Sequence, residues 1–234
     1  MAERFKALVL KTRGRASTTF REFESYCTRQ KKGKQVENIF FTSDEHYGHF
    51  NILKFTSRPF ISLQDMKEKL INNHNSIVGK NDEVFHLGDM FWKSCSLREC
   101  LDIRYALNGK HYFVYGNHDE RIASSKVLQD SFVWCKDAYN LQVQGLGNIY
   151  LHHYACRVWP GSHRNSFHLY GHSHGNLPEA TPQGTADESP LSFDCGVDAQ
   201  NYFPISLEYV QKKMEVKIAN WKPKKFDKEW KKDE

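Results

Sequence analysis

Five short polar clusters punctuate the chain between Ser43 and Gly175, four of them closing a β-rich apolar run. They are Asp44-Glu45-His46, Gly88-Asp89, Gly116-Asn117-His118-Asp119, His152-His153 and Gly171-His172-Ser173-His174. All 12 histidines lie between His46 and His174. Histidine serves metals and proton transfer near neutral pH, so this confinement points to one site. Asp-x-His and His-x-His each put two donors on the same side of an extended strand end. Neighbouring strand residues face opposite ways, so only one of His152 and His153 is expected to ligate.

The donors are two carboxylates (Asp44, Asp89), the Asn117 amide oxygen and four imidazoles from His46, His172, His174 and the His152-His153 pair. A single zinc takes about four ligands, so this set suits two ions, roughly 4 Å apart across a shared carboxylate. A mixed N/O set without thiolate favours Mn, with Fe, Zn or Ni as alternatives. Two divalent cations carry more positive charge than two carboxylates cancel. The surplus calls for an anionic substrate such as a phosphate ester. A metal-bound water, its pKa lowered to about 7, would be the nucleophile.

The elements that must carry these clusters alternate in the first half. Asn38 to Ser43 reads as a strand delivering Asp44 and His46, Glu83 to Leu87 as one ending at Asp89, and His111 to Tyr115 as one ending before Asn117. Ser62-Leu63-Gln64-Asp65 and Ser96-Leu97-Arg98-Glu99 read as capping boxes, opening helices to about Val78 and Leu107. Beyond them the runs 132–134, 139–143, 148–151, 167–170, 192–195 and 205–210 read as strands. The class is therefore α/β, with a β-rich second half. Glycine beside the ligands at 88, 116 and 171 lets the chain turn sharply and approach the metals.

The order D-x-H, G-D, G-N-H-D, H, G-H-x-H resembles that of the calcineurin-like metallophosphoesterases. The likeness is greatest to a small prokaryotic and viral branch with Asp-x-His-x-Gly-His near its start and His-Tyr at the fourth motif. Here these are Asp44-Glu45-His46-Tyr47-Gly48-His49 and His153-Tyr154. The resemblance spans about Ile39 to Val210 and implies two packed mixed β-sheets flanked by helices, with the metals at one sheet edge. It selects His153 over His152. It implies one metal on Asp44, His46, Asp89 and His174, and a second on Asp89, Asn117, His153 and His172. It makes His118 the proton donor to the leaving alkoxide, which favours a phosphodiester, and offers His49 as a phosphate contact. Arg58 and Arg164, with Arg157 and His163, are candidates for gripping substrate oxygens, since Arg reads phosphate in a forked geometry. Asp194 to Asp198 resembles a late Asp-rich segment of the branch that would support the ligands. The alternatives are a phosphomonoesterase, or a scaffold that keeps the fold without catalysis.

Composition bounds the rest. The chain has 234 residues and is 39% hydrophobic, enough for one domain with extensions. No run approaches the ~20 apolar residues of a membrane span, and the N-terminus lacks a secretory pattern. Six cysteines without C-x-x-C spacing suit free thiols in a reducing cytoplasm. Charge is uneven: residues 1–36 carry a net +7, residues 217–234 a net +3, and the body between them −5. The expected organisation is a basic extension over 1–36 with an added strand and helix, a catalytic domain over 37–216 and a basic tail over 217–234. Such ends are solvated or contact polyanions, nucleic acid included; no protein partner is evident.

Overall fold

The computed structural model describes residues 38–177 and 191–220. The N-terminal extension, most of the loop expected over 177–190 and residues 221–234 lie outside the described residues.

A five-stranded sheet is built first: β1 (Ile39–Thr42), β2 (Glu83–His86), β3 (Lys110–Val114), β4 (Cys135–Lys136) and β9 (Ile205–Ser206). Its order is β4-β3-β2-β1-β9, parallel except for β9. The second sheet, β5-β6-β7-β8, contains β5 (Ala138–Val143), β6 (Gly147–His152), β7 (Phe167–Tyr170) and β8 (Ser192–Asp194). Its first pair is an antiparallel hairpin, and β6-β7-β8 run parallel. The fold is thus two mixed sheets flanked by helices.

Side-chain alternation decides how the layers stack. Phe41, Phe85 and Val114 point from the first sheet into a core shared with Leu141, Ile149, Leu151, Leu169 and Phe193 of the second. Their neighbours Phe40, Val84 and Phe113 face the other way. There they meet α2 (Leu63–Ile77) and α3 (Leu97–Ala106), which follow the one-turn α1 (Ile52–Phe55). The serine caps form as the sequence implies: Asp65 N–H donates to Ser62 Oγ at 3.1 Å, and Glu99 N–H to Ser96 Oγ at 3.1 Å. Two further one-turn helices, α4 (Glu120–Ala123) and α5 (Lys126–Gln129), lead to β4.

Two expected strands are corrected. Phe132 to Trp134 is a turn closing α5, where Phe132 N–H donates to Gln129 O, and the strand starts only at Cys135. The run from Ile205 is a strand for two residues and then becomes α6 (Leu207–Asn220). Val210 and Met214, four apart, bury one face of that helix; a strand reading would have split them from Leu207. The helix continues past 216, where the basic tail was expected to begin. No helix among the described residues is long and apolar enough to cross a membrane. The five described cysteines are free thiols.

Candidate metal centre

All five clusters sit just beyond a strand C-terminus: Asp44 after β1, Asp89 after β2, Asn117 after β3, His153 after β6 and His172 after β7. Because β1, β2 and β3 are parallel neighbours, their C-terminal ends lie side by side. The same holds for β6 and β7. Direct bonds join the two edges. The His153 ring meets Leu87 O at 2.7 Å, and His172 N–H donates to Asp44 Oδ2 at 2.9 Å.

Two groups of donors result. Asp44, His46 and His174 form one, and Asp89, His153 and His172 the other; within each, the ligand atoms lie within 4.8 Å of one another. Either group could hold a metal ion. Between them stands Asp89, whose Oδ2 is 3.5 Å from His46 Nε2 and 3.5 Å from His153 Nε2. Asn117 Oδ1 lies 3.0 Å from His153 Nε2.

The chemistry of the donor set fits cations. His153 Nδ1 is 2.7 Å from the carbonyl of Leu87. A carbonyl only accepts, so Nδ1 carries the proton and the Nε2 lone pair faces the oxygens of Asn117 and Asp89. Three acceptors then converge with no proton among them. His174 is held the same way, its Nδ1 2.7 Å from Asp198 Oδ2, which fixes the tautomer and frees Nε2 to ligate. His46 is 2% exposed and neither ring nitrogen has a hydrogen-bond partner. An unsatisfied buried group costs about 1–3 kcal/mol, and burial holds this ring well below the usual imidazole range. Burial, with Asp194 and Asp89 nearby, pushes the Asp44 carboxyl well up. Burial and Asp89 raise Asp119 to about 7. Cations placed among these groups would relieve all three.

Backbone strain marks the same residues. Nine non-glycine residues have positive φ among the described ones, and five are candidate ligands: Asp44 (60°), His46 (52°), Asp89 (56°), His172 (63°) and His174 (47°). Such conformations cost on the order of 1–3 kcal/mol each and cluster at functional sites. Gly88, at φ +96°, takes a similar turn, and a Cβ there would meet Gly116 N and His153 Nδ1 at 2.6 Å. Gly116 and Gly171 have ordinary φ; a Cβ on either would collide with a ligand carboxylate, Asp89 and Asp44 respectively. Close approach, and not a sharp turn, is their reason.

Asp119, the last residue of the third motif, is a support for the second. Its carboxylate accepts N–H bonds from Asp89 (2.8 Å), Gly116 (2.6 Å) and Met90 (3.2 Å), clamping the second motif to the third. Asp194 does the same for the fifth, accepting from Ser173 Oγ and the N–H groups of Gly175 and Gly196. His118 donates its backbone N–H to Asp89 Oδ1 at 2.9 Å and holds its ring 5.7 Å from that of His46. His49 packs flat on Trp92, with ring centroids 3.7 Å apart and planes 4° apart. Burial and the neighbouring His118 lower its pKa to about 4. Trp92, which also meets His118 edge-on at 4.6 Å, carried no sequence signal.

Three expectations change. Arg58 is no substrate grip: it is 5% exposed and its guanidinium is spent inside the protein. It donates to both Asp198 oxygens (2.8 and 2.6 Å) and to the carbonyls of Glu45 (2.9 Å) and Asp44 (2.7 Å), so it holds the first motif and the His174 support together. For Asp198, burial pushes upward, but the bonds from His174 and Arg58 win and hold it below the usual range. Arg164 sits exposed on the 3-10 turn Ser162–Arg164 beside His163, and none of its described contacts reaches the cluster. Nor do all histidines serve one site. His74, His86 and His111 form a buried stack behind the first motif, with His86 Nδ1 2.8 Å from Glu45 Oε1 and His86 Nε2 2.8 Å from His111 Nδ1. His152 turns from the cluster onto Tyr150.

Arg58→Ala is expected to lower stability by about 3–5 kcal/mol, because it strands a buried carboxylate. Urea unfolding reads this directly. A raised KM with unchanged stability would restore the substrate-grip role.

No family model matches the chain. An uncharacterized protein of Methanocaldococcus jannaschii is 28% identical over 184 residues, covering 77% of this chain and 93% of its own. A crystal structure of a protein of unknown function from Aquifex aeolicus shares the fold. It superposes with a TM-score of 0.57 at 22% identity, over 75% of this chain and 98% of that one. A conserved uncharacterized protein of Streptococcus pneumoniae, described as a predicted phosphoesterase, aligns at a TM-score of 0.35 and 17% identity. It covers 70% of this chain and 73% of its own. So low a score carries no weight for the fold.

Proposed function

We propose that this protein is a dinuclear metal-dependent phosphoesterase acting on phosphodiesters. The observation that carries the reading is the placement of Asp89. Its Oδ2 is 3.5 Å from an imidazole nitrogen of each donor group, so one carboxylate could serve ions held by both. Asp44, His46 and His174 would hold one ion with Asp89, and Asn117, His153 and His172 the other. When bound, such ions supply Lewis acidity and an activated water at neutral pH; the donor set suits Mn, with Fe, Zn or Ni as alternatives.

The protein's own residues supply orientation and a proton. Asp119, Asp194 and the Arg58–Asp198 pair hold the strained motif turns without touching substrate. His118 lies beside the cluster, fixed through its backbone to Asp89 and through its ring to Trp92, where it can protonate a departing alkoxide. That role matters most for a poor leaving group such as an alkoxide, and little for an activated ester.

Reconstitution of metal-free protein with Mn²⁺ is expected to bind close to two equivalents per chain, raise the melting temperature and confer hydrolysis of bis-nitrophenyl phosphate. Elemental analysis and melting read the first two without turnover. Full activity at one equivalent would overturn the dinuclear reading. Two equivalents with no hydrolysis of any phosphate ester would overturn the enzymatic one.

A further inference from the structure

A wall of aromatic rings leads away from the proposed catalytic face. Trp92 stands edge-on to His118 and 6.1 Å from His46. His49 stacks on Trp92, and Phe55 makes a T-shaped contact with His49 at 6.2 Å. Phe55 is 73% exposed, and Phe50 of the same segment is 58% exposed. Large apolar rings left in water this close to a polar site carry a cost that a bound ligand removes.

The wall is rigid at its base. Trp92 N–H donates to Tyr47 O at 2.9 Å, Ser94 Oγ donates to Gly48 O at 2.9 Å, and Cys95 Sγ lies 3.3 Å from Tyr47 O. Gly48, at φ +83°, lets the two loops touch, since a Cβ there would reach Cys95 Sγ at 2.6 Å. The charge along the wall is positive. Lys93 Nζ sits 5.7 Å from the Trp92 ring centre, and the exposed Lys54 is on the same helical turn as Phe55. Rings interleaved with lysines beside a phosphate-ester centre match one ligand chemistry: a flat heterocycle carried on an anionic backbone.

We propose that this wall is the base-binding subsite, with Phe55 as the stacking surface, and that the substrates are nucleoside-bearing phosphodiesters. This rests on the phosphoesterase reading for the position of the phosphate. Phe55, at 73% exposure, leaves most of its ring surface free to receive a base. Lys93 and Lys54 would meet the flanking phosphates.

Binding tests the subsite without turnover. Isothermal titration of the full-length Mn²⁺-loaded protein with adenosine monophosphate and with inorganic phosphate gives the preference for a ring-bearing ligand. Wild type is expected to bind the nucleotide at least about 10-fold more tightly than phosphate. Phe55→Ala should remove at least about 5-fold of that preference while phosphate binding stays unchanged, and Phe55→Tyr should keep it. In turnover, Phe55→Ala should raise KM for a thymidine dinucleotide and leave glycerophosphocholine, a diester without a ring, unaffected. Equal binding of nucleotide and phosphate by wild type, or a preference untouched by Phe55→Ala, would overturn the subsite. If neither ligand binds while two metals do, the phosphoesterase reading itself fails, and the subsite with it.

Discussion

Asp89→Asn should cut turnover by at least about 10³-fold, the consequence of losing several kcal/mol of charge stabilisation at the reacting centre. It should also reduce metal content below two per chain. Asn keeps the shape of the side chain and tolerates the left-handed backbone at φ 56°, so the fold persists. What disappears is the negative charge facing both His46 and His153. The sign reverses in metal-free protein. There Asp89 is a like charge that helps push up Asp44 and Asp119, so its removal should make the apoprotein melt higher than wild type. With Mn²⁺ present the variant should melt lower. Melting curves with and without metal, beside elemental analysis, check both signs. A variant that binds two ions and turns over normally would rule out the shared carboxylate.

His118→Ala should leave both metals bound and lower the rate by about 10²–10⁴-fold on a poor leaving group, the usual scale for a lost general acid. His118 touches the cluster through its backbone N–H, which alanine retains, so the bond to Asp89 Oδ1 survives. On nitrophenyl esters, whose leaving group needs little protonation, the loss should be much smaller. The comparison of alkyl and nitrophenyl diesters on the same variant is the decisive measurement. An equal loss on both would assign His118 to binding or to support of Trp92.

The candidate donors were legible because strand-end motifs are local. A strand delivers the residues at its C-terminus wherever the sheet goes, so Asp44-x-His46 or His172-x-His174 announces itself through spacing alone. The capping boxes at Ser62 and Ser96 are local for the same reason and formed within a residue or so of expectation. α6 was misread because two residues of true strand precede it and Ile205-Ser206-Leu207 carries no period long enough to separate helix from strand. Arg58 was misread because an arginine near such a site looks the same in sequence whether it faces a ligand or a carboxylate 140 positions away.

By itself the sequence determined the order of strands and helices in the first half, and the candidate donors and their chemical type. These follow from residue identity and from periodicities of two and 3.6. The tertiary structure alone decided which oxygen stands between the two donor groups and which histidines belong elsewhere. It also decided that Asp119, Asp194 and Arg58 hold the motif turns, and that Trp92, His49 and Phe55 form one wall. Each of those depends on where two separate segments meet. That is set by the packing of two sheets across a shared core, and no spacing within one segment encodes it.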